Sequence, residues 1–165
     1  MPFHPPVETL EYWQGSTPTQ ATDADIAMLE ARLEGKAPAS YVEFMKTYGN
    51  VEFDDEINSR FEYAYDLPER TEVRSQAISF IKAPQKAIQY YDGIQEDSNL
   101  HIPNHLLPFA MDYGQGELLI EFGQTTERIF YWDFDAHDWE SGVTRLGFVS
   151  NDMYDFINNL APFDD

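Results

Sequence analysis

The run Glu117-Leu118-Leu119-Ile120-Glu121-Phe122, then Gly123-Gln124-Thr125-Thr126-Glu127, then Arg128-Ile129-Phe130-Tyr131-Trp132-Asp133-Phe134 decides the fold class. Two short apolar segments flank a polar loop that opens on glycine, the pattern of a β-hairpin. The turn Tyr113-Gly114-Gln115-Gly116 leads into the first strand. Ser141-Gly142 leads into a third strand over Val143 to Val149. Strands joined by hairpins pair antiparallel, so the sheet is antiparallel, or mixed if an outlying strand joins it.

Helical patterns lie on both sides of this sheet. Thr22 with Asp25 three residues on forms a variant capping box, and Ile26, Leu29 and Leu33 follow at helical spacing before Gly35. Pro38 suits the first turn of a second helix, in which Tyr41, Phe44, Met45 and Tyr48 fall at i, i+3, i+4 and i+7. Pro84 opens a third, carrying Ala87, Ile88, Tyr91 and Ile94. The last runs from Asn151, capped by Ser150 or Asn151, with Met153, Phe156, Ile157 and Leu160 on one face. Phe61, Tyr63 and Tyr65 alternate with polar or small residues as a strand, and Ile78 and Phe80 flank Ser79 in another. Pro103 and Pro108 bracket a short extended run with Leu106 and Leu107. Residues 1–21 hold Pro2, Pro5, Pro6 and Pro18 and read as an irregular arm, anchored through Val7, Leu10, Tyr12 and Trp13. The expectation is an α+β class: an arm over 1–21, then one domain over 22–165 with about four helices packed on the sheet.

Composition bounds the function. The 165 residues carry 30 acids against 10 bases, a net charge of −20, with 15% aromatic residues and no cysteine. The aromatic content supports a core rather than disorder. Lack of cysteine excludes disulfides and thiolate metal sites. The charge opposes nucleic acid and anionic lipid, so neither a nucleic acid nor a membrane is expected as partner. No apolar run is long enough to span a membrane, and the N-terminus lacks the features of a secretory signal. A cytoplasmic location is expected.

Several segments together resemble the SUKH superfamily, in the branch named for the yeast cell-wall regulator and killer-toxin-resistance protein. Pro38-Ala39-Ser40-Tyr41-Val42-Glu43-Phe44-Met45 is similar to its proline-x-x-tyrosine-x-x-phenylalanine helix, running into Tyr48-Gly49-Asn50. Ile102-Pro103 with Leu107-Pro108-Phe109-Ala110-Met111-Asp112 is similar to its "I-P … L-P-F-A-x-D" segment. Gly114-Gln115-Gly116-Glu117 resembles its glycine turn, and Ile129-Phe130-Tyr131-Trp132-Asp133 its tryptophan-aspartate strand. The final helix from Met153 to Leu160 falls where the family has one. The chain departs at Ala37, where a leucine is usual, and matches poorly over 51–75. The resemblance implies a non-enzymatic protein-binding role. Bacterial members bind and neutralise a cognate toxin, and eukaryotic relatives are interaction hubs. It transfers no catalytic set and no cofactor.

Candidate sites follow from charge and local motif. Asp133, Asp135, His137 and Asp138 begin like a calcium loop, but Asp138 stands where glycine is needed and Thr144 where glutamate is needed. A charged hairpin tip between Trp132 and Trp139 is the better reading, and no metal is assigned. His101 and His105 are four apart, but Pro103 between them breaks a helical metal pair. No nucleophile elbow or phosphate loop occurs, and no catalytic residue is assigned. Asp54, Asp55 and Glu56, with Asp133, Asp135, Asp138 and Trp139, are expected to contact a partner, with Phe53, Trp132 and Phe134 interleaved among the acids. Trp132 reads as core; Trp139 reads equally as core or contact. Acids around aromatic anchors suit capture of a basic protein, a cognate toxin or another basic domain. A regulatory scaffold is the rival reading and a metal-dependent hydrolase the weaker one. The oligomeric state is not legible.

Overall fold

A computed structural model describes residues 3–66, 69–114, 116–137 and 144–162, with backbone alone at 134–137 and 144. The chain is α+β. Among the described residues the elements run α1 (Val7–Gly15), α2 (Asp23–Leu33), α3 (Ala39–Thr47), β1 (Asn58–Asp66), β2 (Thr71–Ile81), α4 (Pro84–Glu96), β3 (Leu106–Asp112), β4 (Glu117–Glu121), β5 (Ile129–His137), β6 (Thr144–Ser150), α5 (Met153–Asn158) and β7 (Ala161–Pro162). All pairings are antiparallel. The sheet order is β2-β3-β4-β5-β6-β1-β7, and β2 pairs with β1 as well. Strands β1 to β6 therefore close on themselves, and the two-residue β7 extends the edge beside the start of β1.

Alternation sets the two faces of this curved sheet. Phe61, Tyr63, Tyr65, Leu118, Ile120, Ile129 and Tyr131 turn to the main core, shared with Trp13, Leu29, Tyr41, Phe44 and Phe156 from the helices. Ring contacts knit helices to sheet: Tyr41 meets Phe109 at 6.1 Å, and Phe61 meets Phe156 at 5.9 Å. The opposite face carries Leu119 and Trp132, covered by Ile94 of α4 and by Ile102 and Leu106.

The helix caps follow the sequence with adjustments. Thr22 and Asp25 form the reciprocal capping box, with bonds of 3.1 and 2.9 Å. Pro38 serves as the N-cap of α3 rather than sitting in its first turn. Asp152, not Ser150 or Asn151, caps α5 by accepting from Asp155 N at 2.8 Å. The N-terminal arm is not irregular throughout, because α1 lies within it. Its prolines flank the helix: Pro6 is the N-cap and Pro18 follows the end. Trp13 anchors it in the core and Leu10 is half-buried, whereas Val7 and Tyr12 are exposed. Strand β3 runs through Pro108 to Asp112, absorbing the proline at a register shift between Pro108 and Ala110. Strand β5 runs to His137, so Asp133 and Asp135 belong to a strand rather than to a hairpin tip.

Ser40 joins three elements. Its backbone N–H and hydroxyl both donate to Glu127 of the β4–β5 loop, at 3.0 and 2.6 Å, and the hydroxyl accepts from Met153 N at 3.0 Å. Buried backbone donors at the starts of α3 and α5 are thereby satisfied.

Candidate functional site

The seven residues expected from sequence do not form one described cluster. Asp54, Asp55 and Glu56 share a turn ahead of β1, where Asp54 Oδ1 accepts from Glu56 N at 2.9 Å. Asp55 and Glu56 are exposed and Asp54 is half-buried. Tyr113 lies beside them and donates to Phe53 O; burial, then the charges of Asp55 and Asp54, raise its phenol above the usual range. Asp133 lies elsewhere. Pairing of Phe130 and of Ala64 with Phe148 sets Asp133 toward the C-terminal end of β1, so that the whole strand, about 26 Å, separates it from the turn. There its charge adds to burial in raising Tyr63, Tyr131 and Tyr65, the last to about 12. Asp135 is placed by its backbone in β5. Asp138 and Trp139 lie outside the described residues. Phe53 and Trp132 are core residues at 3% and 2% exposure, so neither supplies exposed anchor area. Among the described residues no group of His, Cys, Asp or Glu is arranged to hold a metal ion.

A cluster that sequence reasoning missed lies at the β3–β4 turn. Lys82, at the end of β2, is fully buried and paired with Glu117 of β4, also buried. The ammonium donates as well to Pro108 O at 3.1 Å and sits 4.2 Å from the ring centroid of Tyr90. Burial pushes the Glu117 carboxyl up to about 7 and the Lys82 ammonium down, each against the pull of its partner. Buried Asp112 accepts from Gly116 N at 2.5 Å and from the Tyr131 hydroxyl. Gly116 has to be glycine: a Cβ there would lie 2.2 Å from the Tyr131 hydroxyl. Asp112, Gly116 and Glu117 fall in the segments that carry the family resemblance, so those motifs build a buried polar framework around the turn. Lys82 gave no sequence signal, being an ordinary lysine after a strand.

Glu117 also lines a groove of about 660 Å³ between α4 and the sheet. Tyr90, Gly93, Ile94, Leu100, Met111 and Trp132 supply most of its walls. An apolar band runs on from it along the outer sheet face, through Phe130 and Leu146 to Phe148, Ala64 and Val73. Phe148 is 39% and Val73 59% exposed, so the far end of the band is open. The groove and band are suited to binding, being an apolar surface with one carboxylate at its margin.

The charge around these features is one-sided. Six ion pairs among the described residues each hold a different basic residue: Arg32, Lys46, Arg60, Arg74, Lys82 and Arg128. Burial pushes Glu121 upward, but hydrogen bonds from Arg128 and Thr126 outweigh it and hold that carboxyl below the usual range.

A sequence model of the SMI1/KNR4 family (SUKH-1) matches residues 20–159. The chain belongs to the SMI1/KNR4 family. The match spans α2 through α5, including the framework at Asp112 and Glu117. Comparison with curated proteins gives no significant match. Membership in this SUKH family agrees with an α+β domain of the protein-interaction type, and among the described residues no helix is long and apolar enough to cross a membrane.

Proposed function

We propose that this SUKH-family chain is an immunity-type protein-binding module that captures a basic toxin or effector domain and blocks it by covering its working surface. No covalent chemistry is required of it, and the cytoplasm of a bacterial producer is where it acts. The observation that carries the reading is the disposition of charge. The chain carries 30 acids against 10 bases, and among the described residues six of those bases are each held in an ion pair by an acid of the same chain, so the surface field is strongly negative. Such a field speeds encounter with a basic partner and occupies sites evolved for phosphate. Asp54, Asp55, Glu56, Asp133, Asp135 and Asp138 contribute to it, and Trp139 is assigned to the contact surface beside them.

Affinity capture from the source organism's lysate at low salt, followed by assay of the retained polypeptide, tests this function. A basic polypeptide whose activity disappears on adding the chain back supports it. Several partners, none of them inhibited, would favour a scaffold instead. Charge reversal at Asp54, Asp55 and Glu56 together should weaken the captured complex at low salt; unchanged affinity would remove those residues from the site.

A further inference from the structure

The α4 groove has an apolar lining with one carboxylate, the Lys82-paired Glu117, at its margin. It lies along the second half of α4, at Gln89, Tyr90, Gly93 and Ile94. That is the negative end of the helix dipole, and the last turn of α4 holds no basic residue to offset it. Glu96, the last residue of α4, and Asp97, its C-cap, are both exposed. Glu117 stands at the other wall with Asp112 behind it. Three cations oppose this charge: buried Lys82 on Glu117, exposed Lys86, which stacks on Phe80 one turn nearer the start of the helix, and Arg32, which is taken up by Asp92 of α4. Lys82 and Lys86 do not lie at the C-terminal end of α4, and Arg32 is engaged by its own carboxylate there. A complementary occupant therefore has a long apolar stem and a cationic tip.

We propose that this groove receives an arginine or lysine side chain presented by the protein partner, its stem against Ile94, Leu100 and Trp132 and its cation toward the C-terminal end of α4 with Glu96 and Asp97. The apolar band through Phe130 and Phe148 continues from the groove and provides a face for the surrounding partner surface. Planar guanidinium suits a site walled by Tyr90 and Trp132. The inference rests on the reading of the partner as a basic protein, but the groove can be tested without that partner.

The probe is N-acetyl-arginine amide, titrated into isotopically labelled protein and followed by amide and indole NMR shifts. N-acetyl-citrulline amide, its neutral isostere, is the control. The expected result is saturable shifts at Gly93, Ile94, Leu100 and the Trp132 indole, with citrulline binding at least several-fold more weakly. Equal response to citrulline, or arginine shifts confined to exposed acids such as Asp55 and Glu56, would overturn the proposal. Gly93→Phe should abolish the response, since a Cβ at Gly93 meets nothing within 4 Å and the helix accommodates a side chain there. Leu100→Lys, at a half-buried loop position, supplies an internal competitor and should abolish it too. Retained arginine shifts in both variants, with native melting, would also contradict the assignment. With a captured toxin, Gly93→Phe should weaken binding by about tenfold or more. Toxin binding lost on charge reversal of Asp54, Asp55 and Glu56 but unchanged in Gly93→Phe would sink the groove and leave the immunity reading standing. Arginine binding in the groove with no inhibited partner would do the reverse.

Discussion

Lys82 holds its charge inside the fold, against Glu117, with Pro108 O and the Tyr90 ring completing its surroundings. Removing either partner strands the other in a buried site, which typically costs about 3–5 kcal/mol. Lys82→Met and Glu117→Leu should each destabilise by that amount in urea unfolding, while the double variant recovers most of it. Additive losses would contradict the pairing. The pH dependence has a definite sign. The Glu117 carboxyl rises from 4.5 to about 7 on folding, so its stabilising contribution is complete below about 4.5 and is lost as pH rises through 7. Carboxyls held low, Glu121 among them, contribute the opposite limb, present above the ordinary 4.5 and lost as pH falls below it. Thermal melting should therefore be highest on the acid side of neutrality and fall toward pH 8, with the Glu117 limb absent in the double variant. At this scale sequence was informative about Asp112 and Gly116, which stand in recognisable motifs. It was silent on Lys82, because burial of a lone lysine depends on which distant carboxylate the fold brings to it.

Helix and strand periods were largely legible because each repeat is enforced locally by one apolar face. Ile26, Leu29 and Leu33 of α2, and Phe61, Tyr63 and Tyr65 of β1, are buried as their spacing requires. Helix α1 was hidden by its prolines, since proline limits the residues around a helix as readily as it interrupts one. The extension of β3 through Pro108 and the two-residue β7 depend on partners far away in sequence, and no local pattern announces them. Two substitutions separate local from tertiary stabilisation. Thr22→Ala removes a surface cap and should cost about 1 kcal/mol. Ser40→Ala strips an acceptor from buried Met153 N and a donor from Glu127, and should cost about 1–3 kcal/mol. Urea unfolding of both variants checks the order, and a larger loss at Thr22 would contradict the role given to Ser40. Gly93→Ala, by contrast, should stabilise by up to about 1 kcal/mol, since glycine in mid-helix is unfavourable and its Cβ position is open.

Over the whole molecule, the net charge of −20 is the property that sequence states most plainly and that structure sharpens least. It was legible because it is a sum. Where it acts was not legible, since Asp54, Asp55 and Glu56 stand apart from Asp133 once the strands are paired. The apolar groove was hidden for the same reason: its walls come from α4, the following loop, β3, β4 and β5. Association driven by this field should slow as salt rises while dissociation changes less, because screening acts on the encounter. Stopped-flow binding of the captured partner over about 0.05–0.5 M salt reads this directly. The measurement that bears most directly on the central claim is inhibition of the partner. The captured polypeptide is assayed for its own activity, or for toxicity to cells, with and without an equimolar amount of this chain. The account predicts near-complete suppression, weakened at high salt and reduced in the triple charge-reversal variant of Asp54, Asp55 and Glu56. Full activity of a saturated complex would contradict it.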